Sequence, residues 1–403
     1  MSAPFRRDDF PSLRRTLNGR PLAYLDGPAG SQVPRPVLEA MERYYTTMNA
    51  NTHGVFVTSV ESDAMLEEAR TAVAAFLGSG SGATISFGAN MTTLTFALSH
   101  ALGRLFRAGD EVVVTELDHE ANRGPWLSLA ERGVLIREIA LRPDGTLDPD
   151  DMRAKIGPRT RLVAMGLASN ALGTVNDVAL ARKLSRRVGA WLLLDAVHYA
   201  PHFSVDVRAL DTDFLLCSAY KFYGPHVGVL YCREGLLETL PADRLRTQTQ
   251  RAPYLIETGT LNHAAIAGVK AAVEYLASLG QGTEFRARLV DALGRIGAHE
   301  RALAEKLHRG LSSMRGVTVH GPSFSGQRAP TVSFTTDRWT AGEVCVALAE
   351  AGICAWDGHF YAIRAIEKLG LLERGGVTRL GVLLYNSEEE VDRVLRRVGE
   401  IVG

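Results

Sequence analysis

At 403 residues the chain exceeds what one typical hydrophobic core accommodates, so a large domain with a smaller companion is expected. Its 45 basic residues are matched by 45 acidic ones, which removes any electrostatic reason to expect nucleic acid or an anionic membrane as a partner. No apolar run reaches the roughly 20 residues of a membrane span, and the start of the chain, with Arg6, Arg7, Asp8 and Asp9, lacks the apolar core of a secretion signal, so the cytoplasm is the expected compartment.

In chain order, the periodicity predicts an amphipathic helix over 61–77, with Met65, Leu66, Ala69, Val73, Phe76 and Leu77 on one face and Gly78 past its end. Strand-like runs follow at 83–87, 111–115, 134–139, 161–166, 191–195, 213–217 and 227–232, an alternation with helical segments that produces a mainly parallel sheet covered by helices. A long helical pattern from about 283 to 314 bridges to strand-like runs at 317–320, 331–336 and 377–383 and helices near 340–351 and 387–401, the pattern of a small α+β domain. The glycine run 77–84 (LGSGSGAT) follows a helix and precedes a strand, the reverse of what a phosphate-cradling dinucleotide turn requires. The four cysteines, Cys217, Cys232, Cys345 and Cys354, form no close pair of ligand spacing, so neither a zinc site nor a disulfide framework is suggested. His198 and His202 lie four apart, but the intervening Pro201 spoils the helical geometry that a metal pair needs.

The segment 213–231 (DFLLCSAYKFYGPHVGVLY) carries a lone lysine, Lys221, in a small-residue turn between two apolar strand-like runs. A lysine held against such neighbours loses preference for its charged form and becomes nucleophilic toward a carbonyl, as a Schiff base requires. On this segment alone, a loop lysine reaching out to solvent is an equal reading. Upstream, Trp191 to Asp195 (WLLLD) is a short apolar run ending in an acid, the pattern of a buried parallel strand whose carboxyl end delivers a functional side chain. In a pyridoxal phosphate enzyme a carboxylate pairs with the protonated pyridine nitrogen. A helix cap or turn is the commoner fate of an aspartate after a strand.

Taken with its neighbours, this pair resembles the fold-type I class V aminotransferases, in particular the group II cysteine desulfurases and selenocysteine lyases, over nearly the whole chain. LDGPAGSQVP (25–34) is similar to the family's opening strand and turn, and ANTHG (50–54), with His53, to a segment near the active site. SFGANMTT (86–93) matches the phosphate-binding turn, with amides around Asn90, Met91 and Thr92 opening a helix onto the phosphate. ELDHEAN (116–122) puts His119 where the family stacks a histidine on the pyridine face, and ASNALGT (168–174) puts Asn170 near the phenolic oxygen. DAVH (195–198) supplies Asp195 for the pyridine nitrogen, with His198 where many desulfurases have glutamine. CSAYK (217–221) supplies Ser218 for the phosphate and Lys221 for the aldimine, with Tyr220 in place of a frequent histidine. ETGTLN (257–262) resembles the segment whose threonine, here Thr260, reaches the phosphate of the other subunit. TRLGVLLYN (378–386) puts Arg379 at the substrate carboxylate, a task suited to its planar fork.

One departure stands out. Desulfurases of the family carry a loop cysteine that takes the substrate's sulfur as a persulfide. Aligning GICAWDGHFYAIRA (352–365) on Gly358 and His359 puts Tyr361 at that position, and Trp356 replaces a frequently basic residue. Cys354 lies earlier, in a strand-like run, where a cysteine reads as a small buried hydrophobe.

The resemblance implies an α/β fold of PLP-dependent transferase type I, with a mainly parallel seven-stranded sheet, helices on both faces and a small α+β C-terminal domain. The expected division is an N-terminal segment 1–30 packing with the small domain, a large PLP-binding domain 31–282 and a small domain 283–403. It further implies a homodimer with shared active sites and a free amino acid as substrate, bound by Arg379 with His53, His359 and Tyr361 nearby and processed through an external aldimine and quinonoid. Lys221 would act as general base, Asp195 would keep the ring protonated and His119 would hold it flat. The expected reaction is cleavage or substitution at the β or γ carbon, a carbon–sulfur lyase without persulfide transfer. The alternatives are a cysteine desulfurase or selenocysteine lyase using Cys354 or an external thiol, an epimerase or aminotransferase with Tyr361 or His359 as a second proton donor, and a non-catalytic PLP-binding protein. Trp356, Phe360 and Tyr361 suggest an aromatic-walled pocket, although clustered aromatics are more often core.

Overall fold

The structure, a computed structural model, describes residues 5–403. The first four residues of the expected N-terminal segment therefore lie outside the described residues. Seven strands form the main sheet: β1 (Ile85–Gly88), β2 (Glu111–Thr115), β3 (Leu135–Ile139), β4 (Thr160–Gly166), β5 (Trp191–Asp195), β6 (Phe214–Ser218) and β7 (Gly228–Cys232). Their spatial order is β1-β7-β6-β5-β4-β2-β3, with β7 antiparallel to both of its neighbours and all other pairs parallel. Alternating side chains of each strand enter opposite cores: Leu192, Leu194, Leu215 and Cys217 face one, Leu193, Phe214 and Leu216 the other. Burial on both faces explains why these strands read as unbroken apolar runs.

The sheet is covered by helices, among them α1 (Val57–Leu77), α2 (Met91–Gly103) and α3 (His263–Ser278). Helix α1 starts four residues before the predicted 61, because no side chain caps its first turn and so no start signal is written there. Helix α3, absent from the sequence expectation, is apolar almost all round, with 13 of its residues buried, and so shows no amphipathic stripe.

A fourth helix, α4 (Phe285–Ser312), belongs to two cores at once. Leu289, Leu293 and Ile296 pack into the main one, while Leu303, Leu307 and Leu311 pack into another beneath a second sheet. That sheet is wholly antiparallel, in the order Val317–His320, Thr331–Thr336, Val377–Gly381, Trp356–Gly358. Helices Ala341–Glu350 and Glu388–Val402 pack with it. The early part of the chain returns to this region: Ala23–Tyr24 pairs in parallel with Ile353–Cys354, and Asp26 bridges to Gly381. No helix among the described residues is long and apolar enough to cross a membrane.

Candidate active site

The carboxyl ends of β4, β5 and β6 open into one cavity. Asp195 is the last residue of β5, and Lys221 follows β6 on a single turn, Ala219–Lys221. Lys221 is 8% exposed and donates from Nζ to the carbonyls of Pro28 and Ala29. Burial, helped by the nearby Arg379 charge, pushes its ammonium down to about 7 against the pull of Asp26 and Asp195. Asp195 accepts one hydrogen bond, from the Val197 amide at 2.8 Å, and burial pushes its carboxyl up to about 6.

Helix α2 points its N-terminus into the same cavity. Asn90 caps it, accepting from the Thr93 amide at 2.9 Å, while the Thr93 hydroxyl accepts from the Asn90 amide. The Met91 amide donates to the Ser218 hydroxyl at 3.1 Å, and the Thr92 amide has no partner among the described residues. A glycine makes this packing possible: a Cβ on Gly228 would lie 2.3 Å from the Asn90 carbonyl carbon.

His119 lines the cavity from the β2 side. Its Nδ1 accepts from the Ala121 amide at 3.0 Å, and burial, with Lys221 and Arg379 adding, pushes it down to about 4. The ring is therefore neutral at physiological pH and carries its proton on Nε2. His198 is fully buried, its Nε2 at 2.9 Å from the Thr331 hydroxyl, with its ring 5.2 Å from that of His202, which pairs through Nδ1 with Glu300 at 2.7 Å. Tyr220 stacks on His226 at 4.6 Å and presents its ring 4.9 Å from Lys221 Nζ.

Above this cavity lies a wider recess that shares Thr92, His119, Asn170, Tyr220 and Lys221 with it and adds Arg379, His359 and Tyr361. Arg379 is 2% exposed, donates to Asp26 Oδ1 at 3.1 Å and to the Asn170 carbonyl at 3.2 Å, and sits 4.0 Å over the Phe360 ring. Its Nε has no hydrogen-bond partner among the described residues. Thr260 and His53 are elsewhere. They line a different recess, beside the buried Arg70–Glu257 pair, and His53 is exposed and lies 3.3 Å from Asp63.

Sequence reasoning passed over Asp26, Asp118 and His226. Asp118 is buried in the cavity, accepts from the Gly166 amide at 2.7 Å and is pushed up to about 7 by burial, with Asp195 adding. It stands directly before His119, and Asp26 stands inside the LDGPAG segment, so both were within motifs already marked, without a reason to single them out.

The donor set fits pyridoxal phosphate. The Thr92 amide and the Ser218 hydroxyl at a helix N-terminus suit a phosphate, a carboxylate at the end of β5 raised by burial suits a ring cation, and a buried lysine with a lowered pKa suits an aldehyde. Fold and cavity together define a fold-type I, pyridoxal phosphate-dependent enzyme class. Residues 23–394 match the family described as aminotransferase class-V. The chain is 34% identical over 416 residues to a cysteine desulfurase of Salmonella dublin and 33% identical to one of Enterobacter sp. (strain 638), covering 98% of both chains in each case. Among solved structures it is similar to the apo cysteine desulfurase from Thermococcus onnurineus NA1 (TM-score 0.88, 30% identity, covering 100% of this chain and 99% of that one). It is also similar to the cysteine desulfurase CsdA (S-sulfonic acid) from Escherichia coli (TM-score 0.85, 27% identity, covering 98% of each). The chain belongs to the class V aminotransferase family, on its cysteine desulfurase-like branch.

Proposed function

We propose that this enzyme breaks the Cβ–S bond of cysteine or a cysteine derivative without passing the sulfur to a cysteine of its own. The observation that carries the reading is that none of the four cysteines lines the cavity or the recess above it. Cys217 and Cys232 are buried in the main sheet. Cys354 is held on the strand paired with Tyr24, its thiol pushed up by burial, and Cys345 is pushed up to about 12. Where the sequence resemblance expects a persulfide cysteine, Tyr361 stands.

Pyridoxal phosphate, when bound, supplies an electron sink for charge developing at the substrate's α carbon. Arg379 would take the substrate carboxylate on its fork, with Asp26 and the Asn170 carbonyl fixing the guanidinium. Lys221, its ammonium pushed down to about 7 by burial, would accept the α proton on Nζ. Asp195 would hold a ring cation, and neutral His119 would cover the ring without adding charge. In elimination the Cα–H and Cβ–S bonds break, sulfur leaves with the bonding pair as a thiolate, and the carbon fragment is hydrolysed to pyruvate and ammonia.

The names of the relatives favour a second reading, cysteine desulfuration, more directly than they favour elimination. There the products are alanine and sulfane sulfur, and with no cysteine at the recess the acceptor would be an external thiol. Incubating the cofactor-loaded enzyme with L-cysteine and S-substituted cysteines separates the two. Pyruvate with ammonia is the expected result; alanine formed in step with thiol-bound sulfur would replace elimination by desulfuration. Loss of optical activity alone, or an amino group left on the cofactor, would point to epimerisation or transamination. A homodimer that closes each cavity with Thr260 of a second copy, and the division 1–30, 31–282 and 283–403, belong to the same proposal.

A further inference from the structure

The recess above Lys221 is open to solvent and is lined by Phe96, Trp356, Phe360 and Tyr361 as well as by the polar groups of the cavity beneath it. Three of its walls are aromatic and open to solvent: Phe96 is 41% exposed, Trp356 54% and Tyr361 67%. They come from three separate segments: α2, the edge strand Trp356–Gly358 and the turn that follows it. Large apolar side chains gathered around the mouth of a functional cavity mark a ligand surface.

The turn at 358–361 is shaped for this. Phe360 and Tyr361 both have positive φ, 53° and 60°, a region that bulky side chains avoid. The backbone is held there by hydrogen bonds from the Glu120 amide to the Tyr361 carbonyl (2.7 Å) and from Asn170 Nδ2 to the Phe360 carbonyl (2.9 Å). The following helix is tied down by Arg364 to Glu138 (3.0 Å) and Lys368 to Glu116 (2.9 Å). The result splits the two rings. Phe360 is buried under the Arg379 guanidinium, whereas Tyr361 stands in the recess with its ring 5.5 Å from that of His119. Backbone so secured fixes the direction in which the Tyr361 side chain leaves the chain.

Charge narrows the class of ligand. Asp357 and Glu120 line the recess as well, and its one guanidinium, Arg379, is assigned to the substrate's α-carboxylate, so a second anionic group on the side chain would face carboxylates with no further arginine to meet it. We propose that the substrate is an amino acid whose side chain carries a large, flat, uncharged group, and that Trp356, Tyr361 and Phe96 bind that group. The C–S reading above makes this substrate an aryl thioether of cysteine; the binding preference itself does not depend on that reading.

The test uses the cofactor-loaded enzyme and titrates L-alanine, L-leucine, L-phenylalanine and L-tryptophan against its visible spectrum. Phenylalanine and tryptophan are expected to bind about tenfold more tightly than alanine, the gain that one or two aromatic contacts give. Tyr361→Ala and Trp356→Ala should each compress that ratio, and Tyr361→Phe should keep it. Equal affinity for alanine and phenylalanine overturns the proposal. So does a change of oligomeric state in the alanine variants with the ratio intact, which would make the aromatic face a contact between copies. With S-phenyl-L-cysteine as probe, selective binding without cleavage defeats the C–S reading alone, while equal kcat/KM for it and L-cysteine defeats the aromatic-substrate proposal alone.

Discussion

Asp195 and Lys221 titrate in opposite senses because burial penalises whichever form is charged. Asp195 has its folded pKa raised from 3.8 to about 6, so its contribution to stability is fully present below the unfolded value and is lost as pH rises through about 6. Asp195→Asn should therefore stabilise the cofactor-free protein by roughly 2 to 3 kcal/mol at pH 8, with the gain shrinking toward zero near pH 4. Thermal melts of both proteins across that range check this, and a pH-independent difference would contradict it. Adding pyridoxal phosphate should raise the wild type's melting temperature more than the variant's, since only a carboxylate can pair with a ring cation. Lys221→Ala should leave the fold intact and abolish both the visible absorbance of the cofactor-loaded protein and its turnover. If the colour persisted, Lys221 would not be the anchoring amine. At this scale the sequence carried the lysine and the aspartate through strand ends and small-residue turns. It could not carry Asp26 or Asp118, since an aspartate inside a marked motif looks like any turn former until its burial is seen.

The turn between β1 and α2 depends on two elements meeting almost without clearance. Gly228 begins β7, pairs with Gly88 on one side and Ser218 on the other, and faces the backbone of Asn90. In Gly228→Ala the new methyl would meet backbone on a central strand, where neither side can withdraw. The expected outcome is a lower melting temperature and an affinity for pyridoxal phosphate reduced by about tenfold or more, read by equilibrium dialysis. Unchanged affinity would mean that the Asn90 turn does not hold the phosphate. The strands and long helices were legible because apolar periodicity is local. Helix α3 was not, because a segment buried all round has no polar face to set its period, and the start of α1 was not, because its first turn is uncapped.

For the whole molecule, the placement of Thr260 and His53 away from Lys221 is the point on which the shared-site proposal turns. If a second copy supplies Thr260, two inactive proteins, Lys221→Ala and Thr260→Ala, should regain partial activity when mixed and allowed to exchange subunits. No recovery despite exchange, measured by tagged-subunit pull-down, would place both residues in the service of one chain. Sequence periodicity gave the layers of this fold, but not which recess each motif lines, because that follows from long-range packing between segments.

The carbonyls that hold Lys221 belong to Pro28 and Ala29, and the strand just before them is zipped to residues 353–354. The beginning of the chain thus reaches its place only when a stretch more than 300 residues later arrives to receive it. A chain ending before residue 353 would lack the strand that receives Ala23–Tyr24, and with it the fixed position of the two carbonyls that hold Lys221. A protein truncated before residue 353 should therefore retain pyridoxal phosphate less well than the full chain, and equal retention would show that this distant pairing does not matter to the site.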